Sequence, residues 1–358
     1  MKTVSDEKYR FAYSFDLDSG YYYRTGIIND SGLDTGVDPF MASYPHLLDI
    51  GIMGSCIHGK TGRCLEAGVQ CYQDGLHRSE PDMALSDFKR IIDESRGRLF
   101  QVALGGRGDP EMHRDFKAMI SYSRENDIIP NLTTSGFGLT EEKADLMKTY
   151  CGAVAVSWYR SPYTLKAIEM LTAKGIKTNI HYVLGQNSID EAYEMVTSGK
   201  IPKGVNRMIF LLHKPVGLGQ QANVLRANDP RVEAFFALFN EDRFCDLAGF
   251  DSCCVPGLVN FARDIHLDSI DTCEGARYSA YITPDMKMTP CSFDQDLKWQ
   301  VDLRTHSIRQ AWDSAAFNQF RSILSTSCPT CKSRRSCLGG CPIKKEIVLC
   351  KDLQEVKP

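Results

Sequence analysis

Six short apolar runs recur along the first two thirds of the chain: LLDIGIM (47–53), RLFQVALGG (98–106), IIPNLTTSG (128–136), GAVAVSWY (152–159), KTNIHYVLG (177–185) and VNRMIFLLH (205–213). Amphipathic segments lie between them: SDFKRIIDES (86–95), DPEMHRDFKAMISYSREN (109–126), TEEKADLMKTY (140–150), SPYTLKAIEMLTAKG (161–175) and SIDEAYEMVTSGK (188–200). The short runs predict strands covered on both faces, and the spaced apolar positions predict helices. Steps of about 24 to 50 residues from run to run suit a strand–helix–strand unit. Six units in series imply an α/β fold with a parallel sheet, either curled as an open barrel or doubly wound.

The two ends break this rhythm. Residues 1–46 are irregular and aromatic-rich, and YRFAYSFDL and YYYRTGII flank Asp18-Ser19-Gly20, which predicts a hairpin. After about 245 the alternation stops. ARYSAYITPDMKMTPCSF places a Pro-Asp turn between extended runs, and SIRQAWDSAAFNQFRSIL predicts one helix before a cysteine-dense tail. That tail is too poor in apolar residues to fold alone, so an inorganic group is expected to hold it together. The expected division is an N-terminal segment 1–46, a barrel 47–245 and a tail domain 246–358.

Bulk numbers narrow the function classes. The chain has 358 residues, 43% of them hydrophobic, and a net charge of −3. That balance gives no reason to expect nucleic acid or a membrane surface as partner. No stretch of 18 apolar residues occurs, and the N-terminus is too charged for a signal peptide, so a cytoplasmic protein with reduced thiols is expected.

The fourteen cysteines carry the chemistry. Cys328, Cys331, Cys337, Cys341 and Cys350 read C-x2-C-x5-C-x3-C-x8-C, with Cys273 and Cys291 ahead of them. A ribbon-like zinc site is one reading of the tail, and iron–sulfur clusters are the other. Cys56, Cys64 and Cys71 follow the first apolar run, where a parallel α/β fold keeps its working loops. Three thiolates on a cubane leave one iron open, as a catalytic metal centre requires. The loop after the second run, Gly105-Gly106-Arg107-Gly108-Asp109-Pro110-Glu111, offers backbone groups to a ligand; it is neither a P-loop nor a dinucleotide fingerprint. Cys151 and Cys245 read as core thiols. Asp251, Cys253 and Cys254 stand where barrel and tail should meet, and His213-Lys214-Pro215 ends the sixth run. The remaining histidines and the methionines read as surface or core.

Taken together, the residues resemble the radical S-adenosylmethionine (SAM) superfamily: a cysteine loop after strand one, a GGxGDP-like segment after strand two, then the polar strand ends Thr133-Thr134-Ser135, Ser157 and His181. The spacing C-x7-C-x6-C departs from that family's C-x3-C-x2-C by four residues in each gap. The tail resembles the SPASM extension of these enzymes, with Met286 where a glycine is usual. The resemblance implies a partial (β/α)6 TIM-like barrel with a C-terminal cysteine-rich iron–sulfur extension. It implies three [4Fe-4S] clusters: one on Cys56, Cys64 and Cys71, one on Cys328, Cys331, Cys337 and Cys350, and one on Cys273, Cys291 and Cys341, the last either with an open iron or completed by Cys253 or Cys254. SAM would lie against Gly105, Gly106, Gly108, Asp109 and Pro110, with Ser135, Ser157 and His181 nearby. No catalytic acid or base is singled out.

The activity implied is reductive cleavage of SAM to a 5′-deoxyadenosyl radical, with an electron donor such as flavodoxin or ferredoxin. The substrate implied is a ribosomal peptide; Tyr21, Tyr22 and Tyr23 are candidates to line its groove. A sugar or aminoglycoside is the small-molecule alternative. A non-catalytic iron–sulfur or zinc protein is the alternative of another class, but a carrier has no need of a six-unit barrel bearing a three-thiol loop.

Overall fold

The structure is a computed structural model describing residues 1–262, 265–266 and 270–354. Each of the six apolar runs forms a strand: β4 (Leu47–Met53), β5 (Gln101–Gly106), β6 (Ile129–Thr134), β7 (Val154–Ser157), β8 (Thr178–Leu184) and β9 (Arg207–Leu212). They are preceded by β1 (Lys2–Asp6), β2 (Phe11–Phe15) and β3 (Tyr22–Arg24), and followed by β10 (Ala248–Phe250), β11 (Ser279–Ile282), β12 (Lys287–Thr289) and β13 (Val301–Asp302). The main sheet runs β10-β9-β8-β7-β6-β5-β4-β11-β12-β13 and does not close. Pairing from β10 to β11 is parallel throughout. The tail thus joins the sheet at both edges. β10 extends it beside β9, and the hairpin of β11 and β12 lies along β4.

The connecting helices begin where local chemistry starts them. Thr140 caps Glu141–Tyr150 by accepting from the Lys143 N–H. Ser161 does the same for Pro162–Ala173, with Pro162 in the first turn. The segment 307–324 forms two helices, Ile308–Trp312 and Ala315–Thr326, because Ser314 accepts from the Phe317 N–H and opens a second cap.

The strands alternate in burial. Leu48, Ile50, Val102, Leu104, Ile180, Tyr182, Met208 and Phe210 pack against the helices in one continuous core. Asp49, Ala103, Asn131, Thr133, Asn179 and His181 point to the other face and are only half-buried. Here the structure corrects the expectation of two covered faces. Helices cover one face, and the small and polar residues within the apolar runs line an open lumen.

The N-terminal sheet β1-β2-β3 closes the lumen at the starts of the strands. Phe15 stacks on Phe100, the Tyr13 hydroxyl donates to the Arg98 carbonyl, and Lys177 donates to the Ser19 carbonyl. A cavity of about 280 Å³ remains between hairpin and strands, reaching Thr133 and His181. This hairpin lies at the end opposite the cysteine loop. Tyr21 and Tyr23 are exposed there, and the Tyr22 hydroxyl bonds His46 Nδ1 at 2.7 Å. Among the described residues no helix is long and apolar enough to cross a membrane.

Candidate iron–sulfur and cofactor site

Cys56 lies three residues beyond the end of β4 and immediately precedes the short helix Ile57–Thr61. Its sulfur faces the first backbone N–H groups of that helix, those of His58 and Gly59, which favour a thiolate. Burial acts the other way and prevails, so the thiol is raised. Cys64 sits in Arg63–Glu66, buried, and Cys71 follows. Burial raises the Tyr159 phenol well above its usual value, and Asp109, Cys71, Cys56 and Cys64 add to the effect, so all three thiols lie within electrostatic reach of this one phenol.

Arg107 holds the cysteine loop to the glycine loop. Its buried guanidinium donates to the carbonyls of Gln73 and Gly54, 3.2 Å each, and pairs with Glu80 at 2.7 Å. The two ends of the cysteine loop therefore share one cation. Gly108 adopts φ +93°, and a β-carbon there would come within 2.6 Å of the Ser55 carbonyl. Only glycine allows the two loops to approach this closely. From the far side, the loop after β9 clamps the third cysteine, with Leu218 N–H donating to the Cys71 carbonyl at 2.9 Å.

Asp109 and Ser135 meet as part of one buried cluster. Ser135 donates its hydroxyl to Asp109 Oδ2 at 2.6 Å and its N–H to Oδ1 at 2.8 Å. His58 Nε2 lies 2.6 Å from Ser135 Oγ and 3.2 Å from Asp109 Oδ2. With the serine proton committed to Asp109, Nε2 is the donor to both. The opposite ring nitrogen of His58, the Tyr163 hydroxyl and Glu111 Oε2 are buried without a hydrogen-bond partner among the described residues. Burial and the neighbouring Asp109 push the Glu111 carboxyl well up, which favours its protonated form. Unsatisfied polar atoms gathered in one place mark a site shaped for a polar ligand.

The tail brings together two sets of four thiols. Cys253 and Cys341 are hydrogen-bonded to each other. Burial pushes Cys273 up to about 12, and Cys253 acts on it more strongly than any other neighbour; Cys291 responds to Cys253 and Cys273 in turn. Cys254 is different: its Sγ turns into the core and faces the Phe210 carbonyl at 3.6 Å. In the second set Cys328 responds to Cys331 and Cys350, and Cys337 to Cys350 and Cys328. Among the described residues no three His, Cys, Asp or Glu side chains converge on a point the size of a single ion. A cubane instead asks for one thiolate at each corner iron.

Comparison with known proteins bears on this arrangement. Residues 273–338 match the iron–sulfur cluster-binding domain SPASM. The chain is similar to PqqA peptide cyclase of Methylocella silvestris, 24% identical over 260 residues, 65% of this chain and 67% of that one. It is similar to mycofactocin maturase MftC of Mycobacterium tuberculosis, 23% identical over 308 residues, 80% and 77% of the two chains. In three dimensions it resembles SuiB of Streptococcus suis bound to S-adenosylmethionine, with a TM-score of 0.66 at 15% identity over 88% of this chain and 78% of that one. These matches agree with the resemblance to radical SAM enzymes that carry a SPASM extension.

The strand-end residues fall into two groups. Asp109 and Ser135 meet, as described. Ser157 and His181 are partners in register on β7 and β8, and His181 Nδ1 stands 3.4 Å from Thr133 Oγ1, inside the lumen. Burial lowers His181 to about 4, so it is neutral at pH 7. Gly105 and Gly106 end β5 and Pro110 opens a 3-10 turn beyond Asp109. Sequence reasoning passes over two residues here. In the sequence His58 reads as one more core or surface histidine, and Arg107 only as a spacer between glycines. A histidine inside a lengthened cysteine gap is the available signal for the first. Met286, which replaces the usual glycine, keeps the left-handed backbone at φ +70° and is fully buried.

Proposed function

We propose that this enzyme cleaves S-adenosylmethionine reductively and uses the 5′-deoxyadenosyl radical to remove a hydrogen atom from a ribosomally made peptide. The carrying observation is that Cys56, Cys64 and Cys71 all lie close enough to Tyr159 to act on its phenol, as does Asp109, which is bonded to Ser135 and His58. In this reading the three thiols hold a [4Fe-4S] cluster with one open iron. Cys253, Cys273, Cys291 and Cys341 hold a second cluster, and Cys328, Cys331, Cys337 and Cys350 a third. When bound, the first cluster supplies the electron that splits SAM into methionine and the radical.

The chain's own residues do the rest. Gly105 to Pro110 present backbone groups to the polar end of SAM, and Asp109 and Ser135 orient it. Ser157, His181 and Thr133 line the path from that end into the lumen. The N-terminal hairpin closes the bottom of the lumen and keeps bulk water from a radical formed at the top. A flavodoxin or ferredoxin supplies the electron.

The peptide assignment is supported by the relatives. One relative is a PqqA peptide cyclase, and SuiB was solved also bound to its precursor peptide SuiA. Another structural neighbour, anSMEcpe, was solved with a bound peptide, at a TM-score of 0.60 and 16% identity over 86% of this chain and 91% of that one.

The test uses anaerobically reconstituted, reduced enzyme. It should form 5′-deoxyadenosine from SAM, and the Cys56→Ala, Cys64→Ala, Cys71→Ala triple variant should not. Incubation with a peptide encoded beside the gene should change that peptide's mass by a small defined amount, such as loss of two hydrogens. Stimulation only by a sugar or aminoglycoside would replace the peptide reading with the small-molecule one.

A further inference from the structure

The segment carrying the outermost thiols is strongly basic. Residues 328–351 contain six Lys and Arg against a single Glu, a net of +5 in a chain whose net is −3. Lys351 is paired with Glu233 at 3.2 Å, and Arg334 donates to the Ser325 carbonyl. Lys332, Arg335, Lys344 and Lys345 make no ion pair among the described residues. Cys331 is exposed, as are Lys332, Arg335 and Lys345. A shallow groove of about 490 Å³ runs past this thiol, bordered by Phe40, Lys332, Arg334 and Arg335. Lys345 and Arg334 lie close enough to Cys328 for their charges to act on its thiol. Positive charge therefore lies beside the four-thiol set, and four thiolates on an oxidised cubane, about −2 in all, would offset only part of it.

Unpaired like charges on one face repel one another and weaken the fold, so an uncompensated patch calls for a partner that supplies the opposite charge. An exposed ligand thiol adds a second requirement, since electrons cross to a cluster only where a carrier can approach it. We propose that this face docks an acidic one-electron carrier, and that electrons enter the enzyme through the cluster held by Cys328, Cys331, Cys337 and Cys350. The inference rests on the iron–sulfur reading above. With a flavodoxin as donor, the anionic flavin hydroquinone gives one electron and becomes the neutral semiquinone. The oxidised 2+ cluster becomes 1+, and no proton or group is transferred. Small, weak, charge-steered interfaces are usual for such encounters. A substrate would instead need the strand ends beside Cys56 and Cys71.

Stopped-flow reduction of the reconstituted enzyme by flavodoxin hydroquinone, over a range of ionic strength, tests the surface. A K332E/R335E/K345E variant should be reduced about tenfold more slowly at low salt and should lose most of the salt dependence. Its iron content, reduction by dithionite and SAM binding should be unchanged. A K332Q/R335Q variant should fall between the two and serves if the triple variant loses iron. Equal rates and equal salt dependence in wild type and variants would overturn the proposal. So would unchanged reduction with weakened peptide binding, which would give the patch to the substrate. A wild type that makes no 5′-deoxyadenosine even with dithionite would instead sink the functional reading on which the proposal rests.

Discussion

Lys214 Nζ sits 2.9 Å from Asp251 Oδ2 and 4.2 Å from the centre of the Phe293 ring, so one buried cation joins the end of β9 to the thiol set of the tail. Its ammonium is almost wholly enclosed, and the nearby Cys253 and Cys341 thiols, like Asp251, favour its charged form. Phe293 in turn contacts Tyr72, the residue after Cys71, with ring centres 4.4 Å apart. The barrel loop and the tail thus meet through four side chains.

Removing only the cation should be costly. Lys214→Met leaves the half-buried Asp251 carboxylate without its counter-charge, held only by the Leu212 and Cys254 N–H groups, and should destabilise the enzyme by up to about 3 kcal/mol. Lys214→Met with Asp251→Asn should recover much of that, because the asparagine side chain can still accept the Cys254 N–H that Asp251 now caps. Anaerobic guanidinium unfolding of both variants checks the pair. Equal losses would show that the ion pair is not the source.

Iron content separates neighbouring thiols. Reconstituted enzyme should carry about twelve irons per chain, four for each cubane. Cys253→Ala should lower that number and alter the spectrum of one cluster. Cys254→Ala should leave it unchanged, because that thiol faces the core. Identical iron content in the two variants would remove Cys253 from the ligand set.

His58 should matter for SAM and not for iron. His58→Ala takes away the donor shared by Asp109 and Ser135 and opens the pocket. Loss of one such bond is worth about 1–1.5 kcal/mol, or roughly tenfold in affinity. Anaerobic calorimetry should show SAM binding about tenfold weaker at unchanged iron content. Unaltered binding would make His58 a packing residue only.

His46 gives the fold a calculable acid sensitivity. Burial, with the nearby Arg24 charge second, lowers it to about 3 from an ordinary 6.5. The folded state keeps the ring neutral, stacked 3.7 Å from Tyr13, while the unfolded chain takes up a proton below about 6.5. Stability from this group is therefore complete above pH 6.5. It falls by about 1.4 kcal/mol per unit as pH drops towards 3. Between pH 7.5 and 5 the wild type should lose about 2 kcal/mol more than His46→Phe, measured by denaturant unfolding.

Met286 sets two costs against each other. A left-handed backbone costs a non-glycine residue about 1–2 kcal/mol, whereas emptying a buried methionine costs about 2–5 kcal/mol. Met286→Gly should therefore destabilise the hairpin despite restoring the usual glycine, and a higher melting temperature in the variant would reverse that ranking.

Much of this molecule was determined by its sequence alone. The six barrel strands, the helices between them and the N-terminal hairpin follow from short apolar runs, a period of 3.6 and turn residues, all of which act over a few neighbouring positions. The grouping of thiols at the first strand end and in the tail was legible for the same reason. Even the break at Ser314 was written locally, as a second cap inside one apolar pattern. What only the tertiary structure decided is convergence. Cys253 joins Cys273, Cys291 and Cys341 because β10 adds to the sheet edge and the turn after it faces the tail, a contact spanning 88 positions between Cys253 and Cys341. His58, Ser135 and Asp109 meet because three strands end side by side. The N-terminal tyrosines lie far from the cysteine loop because their hairpin packs on the starts of those strands. Contacts of this kind depend on how elements separated by many residues are stacked, and no local period records that.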